Sequence, residues 1–270
     1  MDRAYRYTIR IVAALVAVLM LLPIGYMLVM SLTPEGFKTY SGGSFHLSLS
    51  NYKKVLDSAP IFGWMGNSLI VATCTTLLIL LLSSMAAFAF SRVRFPGSKA
   101  LFLIFLSGMM IPGEATLIPL YLMMRDMHML GSLQSLILPA LAGPMGIFIL
   151  KQFFDGLPKE LEEAARMDGA GFFRIWRTIF LPLSRPALGA LAIFSFIGSW
   201  NDFLWPLISI SDKAFMTITL GLPTFSSSYA NSYALPMTAN ALATIPVLLV
   251  FLIFQKQIIK GIAFTGGKEM

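Results

Sequence analysis

The stretch Pro158–Pro186, PKELEEAARMDGAGFFRIWRTIFLPLSRP, is a long polar interval set between two strongly apolar segments. It reads as two short helices joined at a glycine. Pro158 suits a first helical turn, and Glu160, Glu162 and Glu163 follow where the positive end of the helix dipole favours carboxylates. Leu161, Ala164, Ala165 and Asp168 recur at i, i+3, i+4 and i+7 and share one face. That face is mostly small, so another surface could approach its backbone closely. Gly169 is placed to end the helix in the left-handed conformation that other side chains resist. Beyond it, Phe172, Ile175, Trp176 and Ile179 repeat the helical spacing with Arg174 and Arg177 pointing elsewhere, the pattern of a helix at a membrane surface.

Working outward, the composition says what flanks this stretch. The chain of 270 residues is 57% hydrophobic and 12% charged, against about 25% charged residues in soluble domains. It is expected to be an all-α membrane protein crossing the bilayer several times. Six apolar runs, about Ile11–Leu32, Asn67–Phe90, Ala100–Met124, Ser132–Leu150, Ala187–Ile210 and Thr238–Phe254, are each long enough, or nearly so, to span about 30 Å of hydrocarbon. They are continuous rather than alternating, which points to helices and not barrel strands. The first run follows Arg3, Arg6 and Arg10 but exceeds the apolar core of a signal peptide, so it reads as a retained span.

The net charge of +7 comes with no basic run interleaved with aromatics, so nucleic acid is not an expected partner. The basic residues report orientation instead. Of the 20 Lys and Arg, 15 fall in the N-terminus, the 91–99 loop, the 151–186 loop and the C-terminus, which puts both termini and Pro158–Pro186 in the cytoplasm. The one cysteine, Cys74, lies in an apolar run and reads as packing, with no disulfide or thiol metal site possible. Prolines inside the runs, among them Pro23, Pro112, Pro119, Pro139, Pro144, Pro206 and Pro246, favour a bent bundle over a straight one.

Glu163-Ala164-Ala165, Gly169 after three further residues, and Ile179-Phe180-Leu181-Pro182 after nine more match the EAA motif. On these residues the chain resembles the permease subunits of binding-protein-dependent ABC importers, from about Asn67 to the C-terminus. Trp200-Asn201-Asp202-Phe203-Leu204-Trp205-Pro206-Leu207, Gly131–Pro139 and Gly261–Lys268 look like the carbohydrate-uptake branch, and within it the smaller, six-span subunit of the maltose type. The resemblance implies a type I importer fold divided into a first helix and outer loop (1–66), a permease core with a coupling helix at 158–180 (67–260) and a cytoplasmic tail (261–270).

It further implies that Glu163, Ala164, Ala165, Asp168, Gly169, Ile179, Leu181 and Pro182 couple the permease to an ATPase. The partners would be a second, homologous permease subunit, two cytoplasmic ATPase subunits, an extracytoplasmic solute-binding protein, a sugar and membrane lipid. ATP and Mg would be held by the ATPase and no cofactor by this chain, which has no GxxxxGK[ST] phosphate loop and is not expected to be an enzyme.

Trp200, Asn201, Asp202 and Trp205 either line a carbohydrate path, with indoles on sugar faces and polar groups on hydroxyls, or form an interfacial belt and contacts to the partner subunit. Glu114, beside Pro112-Gly113, is either functional or a polar group at a broken helix end. Asn240 is a weaker path residue. By the resemblance, Tyr229 and Asn231 in the last outer loop would touch the binding protein. Glycerol 3-phosphate or a related polyol phosphate is the alternative cargo. A secondary transporter is the alternative machine, although the chain shows no internal repeat and few ionisable residues within its spans.

Overall fold

The structure, a computed structural model, describes residues 3–34, 47–228 and 233–266. Among the described residues every regular element is helical. In chain order the helices are α1 (Arg3–Leu32), α2 (Ser50–Ser58), α3 (Ile61–Arg92), α4 (Ser98–Ser107), α5 (Leu117–Asp126), α6 (Leu133–Ala140), α7 (Met145–Asp155), α8 (Glu160–Met167) and α9 (Phe172–Ile175). They continue as α10 (Leu181–Leu183), α11 (Arg185–Asn201), α12 (Leu204–Ser209), α13 (Ile218–Gly221), α14 (Pro223–Ser228) and α15 (Ala234–Gly266).

Three of the six expected spans are single helices: Tyr7–Leu32, Ile61–Arg92 and Ala234–Gln255 are long and apolar enough to cross a membrane. The others are broken where the prolines stand. Ser98–Met110 and Gly113–Asp126 meet at 98° across Ile111-Pro112, and Leu133–Ala140 and Met145–Asp155 meet at 41° just before and at Pro144. The fifth expected span, Ala187–Ile210, is entered through a 79° bend between Phe172–Leu183 and Arg185–Asn201, where Leu181-Pro182 and Pro186 turn the chain. The span itself is corrected once: its helix stops at Asn201, with Asp202 extended, before α12 resumes. At the first bend Pro182 and Pro186 bring no N–H, and a single wide turn over Trp176–Phe180 takes up the misfit. The Ser184 hydroxyl donates to the Phe180 carbonyl at 2.7 Å, satisfying backbone that the bend exposes.

The chain divides into two compact units. The first joins residues 1–64 to 218–245. In it the fully buried Asn51 of α2 donates its amide to the Ser31 and Thr33 carbonyls at the end of α1, at 3.1 and 2.6 Å. The Thr238 hydroxyl reaches the same Ser31 carbonyl at 3.3 Å. Thus the last turn of α1, whose carbonyls have no helical partners, is held by side chains from α2 and α15. Along its length α1 turns Leu15, Leu19 and Met20 outward, as a lipid-bathed or partner-covered helix would.

The second unit joins 65–217 to 246–270. Its core is Ala87 and Phe88 of α3, Leu150 and Phe154 of α7, Ile175, Trp176 and Phe180, and Ala187 and Leu191 of α11. Phe180 sits edge-on to Phe88 and Phe154, with ring centres 4.9 and 5.2 Å away. Such pairs add about 0.5–1.5 kcal/mol each beyond burial. Reading Phe172–Ile179 as a surface helix with its rings among headgroups is corrected here: Ile175 and Trp176 are buried, because the bend after Leu183 folds this segment under α3 and α7.

Close approach fixes one glycine in the first unit. A Cβ on Gly221 would lie 2.1 Å from the ring of Trp64, itself buried. Gly221→Ala is therefore expected to cost about 1–3 kcal/mol by overpacking. Adding Trp64→Leu should lose less than the two single changes summed, read as unfolding midpoints of the detergent-purified chain.

Candidate functional site: the coupling surface

The site starts from an arginine at the end of α3. Arg92 has a side chain only 4% exposed, and its Nη2 donates to the carbonyls of Phe154 in the last turn of α7 and of Leu157 just beyond it, the latter at 2.7 Å. The guanidinium lies over the Phe180 ring, 5.0 Å from its centre. Its other terminal nitrogen stands 4.0 Å from Glu162 Oε2 in α8. A planar fork of donors suits this task, since one side chain reaches two carbonyls, a ring and a carboxylate.

Glu162 is the buried acid of α8 and also accepts from Arg166 Nε and Nη2 at 3.0 and 2.6 Å. Arg166 in turn lies 4.5 Å from the centre of the Phe172 ring. This series from Arg92 to Phe172 fixes the inner face of α8. Beside it, a groove of about 930 Å³ opens between the 90–98 loop and α8.

The helix ends as its sequence predicts. Gly169 has φ of 74°, its N–H bonds to the Arg166 carbonyl at 3.0 Å, and the Ala170 N–H bonds to the Ala165 carbonyl at 2.9 Å. These two bonds are the Schellman pair that closes a helix through a left-handed residue. Since nothing lies within 4 Å of a Cβ placed on Gly169, the backbone conformation and not crowding selects glycine.

The opposite face of α8 is open. Leu161, Glu163, Ala164 and Asp168 are exposed, Ala165 is half-buried, and Met167 is 89% exposed. Small and apolar groups therefore stand beside the acids Glu160, Glu163 and Asp168 on a protruding surface. The remaining motif residues lie elsewhere: Ile179 and Leu181 pack against the core cluster beneath, and Pro182 is exposed at the bend. The sequence reading missed Arg92, Glu162 and Met167. Met167 was within reach, because it stands three residues after Ala164; Arg92 and Glu162 are paired only by the fold.

The other expected residues are scattered. Trp200 is buried and stacked on Phe196, with ring centres 5.9 Å apart. Trp205 is buried and donates its indole N–H to the Ser135 carbonyl at 2.8 Å, tying α12 to α6. Asn201 is exposed, and Asp202 lines a cavity while its Oδ1 accepts from the Trp205 N–H at 3.4 Å. Asn240 donates to the Pro236 carbonyl within α15 at 2.8 Å, and Glu114 is exposed at the 98° break. Tyr229 and Asn231 lie outside the described residues, as do residues 267–270 of the tail. No group of three or more metal-binding side chains occurs among the described residues.

Comparison with known proteins gives the chain its class. Residues 79–264 match the family model described as "Binding-protein-dependent transport system inner membrane component", and the chain belongs to that family of ABC importer permease subunits. It is 34% identical to the arabinooligosaccharides transport system permease protein AraQ of Bacillus subtilis, covering 98% of this chain and 96% of that one. It is 33% identical to the trehalose/maltose transport system permease protein MalG of Thermococcus litoralis, covering 94% and 93%. It is 32% identical to the diacetylchitobiose uptake system permease protein NgcG of Streptomyces coelicolor, covering 95% and 87%. In fold it is similar to a chain of a bacterial ABC transporter that imports the acidic polysaccharide alginate, with TM-score 0.80, 24% identity and coverage of 96% and 99%. Such subunits are transport components, with ATP hydrolysis in a separate subunit.

A β-branched residue at position 169 must adopt φ near 74° at a cost of about 1–2 kcal/mol, whereas asparagine tolerates it. Gly169→Val is expected to lower ATP-driven transport about tenfold with normal membrane insertion, and Gly169→Asn to retain most of it. Arg92→Gln leaves Glu162 without its α3 partner. In the reconstituted complex it is expected to raise ATP hydrolysed per solute moved, while Arg92→Lys recovers part of the coupling.

Proposed function

We propose that this chain is the membrane subunit through which an ABC importer moves a sugar or oligosaccharide delivered by an extracytoplasmic binding protein. The observation that carries the reading is near-full-length similarity to several permeases whose names all specify saccharides. The open face of α8 supports the coupling half of it. Leu161, Ala164 and Met167 would enter a cleft of a cytoplasmic ATPase, and Glu163 would meet polar or basic groups of that cleft. The Arg92–Glu162 contact would carry the push of ATP-driven closure into α3 and α7.

In this reading both termini face the cytoplasm of a bacterial inner membrane. The chain pairs with a second, homologous permease, and two ATPase subunits bind ATP and Mg. Residues 1–66 form the first helix and outer loop, 67–260 the permease core and 261–270 a cytoplasmic tail. Asp202 belongs to the substrate path; Trp200 and Trp205 shape its wall from behind, and Asn201, Asn240 and Glu114 are further polar groups on that path. Tyr229 and Asn231 contact the binding protein.

The test is uptake into proteoliposomes holding the whole complex with its binding protein. The panel is an arabino-oligosaccharide, maltose, lactose, diacetylchitobiose and glycerol 3-phosphate. Import of at least one of the four saccharides is expected, and it should require both ATP and the binding protein. Import of glycerol 3-phosphate alone would move the assignment to polyol phosphates. Uptake driven by an ion gradient without ATP would contradict the importer reading.

A further inference from the structure

A cavity of about 300 Å³ opens within the second unit among α3, α6 and α11, beside the point where α11 stops at Asp202. Its wall is lined by Thr75, Ser199, Thr217 and Asp202 together with Val71 and Phe194. Thr75 is 1% exposed, and its hydroxyl is buried without a hydrogen-bond partner. Other threonines of the long helices behave differently. Thr76 donates back to the Ala72 carbonyl at 2.6 Å and Thr244 to the Asn240 carbonyl at 2.8 Å, the usual way a threonine hides its hydroxyl in an apolar helix. A buried hydroxyl that forgoes this bond, on a residue of the cavity wall, is a donor and acceptor that a turn of its side chain would offer to something that enters.

The rest of the wall says what enters. Phe194, 59% exposed, is the aromatic ring on the wall, and aromatic faces pack on the C–H faces of sugar rings. A bare cation would leave most of the volume empty, and a lipid chain has no use for a carboxylate and a ring of hydroxyls. The volume sits at the small end of ligand pockets, about 300–1,000 Å³, so it suits one ring and not an oligosaccharide. A carboxylate within a membrane span is placed against protein or a water-filled path.

We propose that this chain carries its own saccharide subsite here: one neutral sugar ring lies against Phe194 with its hydroxyls bonded to Thr75 Oγ1 and Asp202. The proposal rests on the sugar-import reading and assigns part of the path to this subunit and not to its partner alone.

The test uses thiol labelling in the complete reconstituted transporter. In a Cys74→Ala background, Ser199→Cys and, separately, Thr217→Cys report on the cavity through their rate of reaction with a small methanethiosulfonate. Under ATP turnover, whichever of the four panel saccharides the complex imports is expected to slow labelling at either position at least threefold. Adding Thr75→Val or Phe194→Leu should raise the concentration giving half-protection at least threefold. Import without protection at both positions overturns the subsite alone, as does protection unchanged by Thr75→Val and Phe194→Leu. Failure of the wild-type complex to import any of the four saccharides contradicts the function reading and removes the subsite with it.

Discussion

The placement of α8 depends on the way Arg92 is held. Its guanidinium joins the last turn of α3 to the carbonyls that end α7, to Glu162 of α8 and to the face of Phe180. Hydrogen bonds from a charged group contribute about 1.5–3 kcal/mol each, and here they also terminate a helix whose last carbonyls would otherwise be unsatisfied. Burying a cation is costly unless it is paired and bonded; Arg92 is paired with Glu162 and bonded through Nη2, while its Nε is buried without a partner. This set of contacts ties α8 to two apolar helices.

Around that block the chain is bent where it can afford to be. The breaks at Ile111-Pro112, Pro144, Ser184 and Asp202 each free backbone groups from the helical ladder, and side chains answer several of them. Ser184 supplies the Phe180 carbonyl, Asp202 receives the Trp205 N–H, and the Trp205 indole reaches the Ser135 carbonyl. Gly146 lets α7 lie close to α3 and α11, since a Cβ there would meet Ser83 Oγ at 2.5 Å and Leu191 at 3.3 Å. The break at Asp202 does more than bend the span. It places Asp202 on the wall of the cavity of about 300 Å³.

Much of this was legible in the chain itself. Runs of apolar residues mark the spans because length and composition are enough for that, and Gly169 announces its turn because few residues tolerate positive φ. The exposed face of α8 follows from helical spacing through Leu161, Ala164 and Asp168. What spacing cannot give is pairing across distance. Arg92 and Glu162 look like two more charges in polar loops until α3 and α8 are brought together. Thr75 looks like any threonine in an apolar run until its missing hydrogen bond is seen. Aromatic rings were the other blind spot: Trp176 has the spacing of an interfacial residue, yet the bend at Ser184 buries it.

The central claim is that α8 moves as one body with the ends of α3 and α7. Spin labels at Met167→Cys on α8 and Arg94→Cys beyond α3, both exposed positions, measure it directly in a Cys74→Ala complex by pulsed electron-electron resonance. The account predicts a distance distribution that stays the same between the nucleotide-free and the vanadate-trapped ATP states, and broadens when Arg92→Gln is added. A shift of the distribution between the two states with Arg92 intact would contradict it.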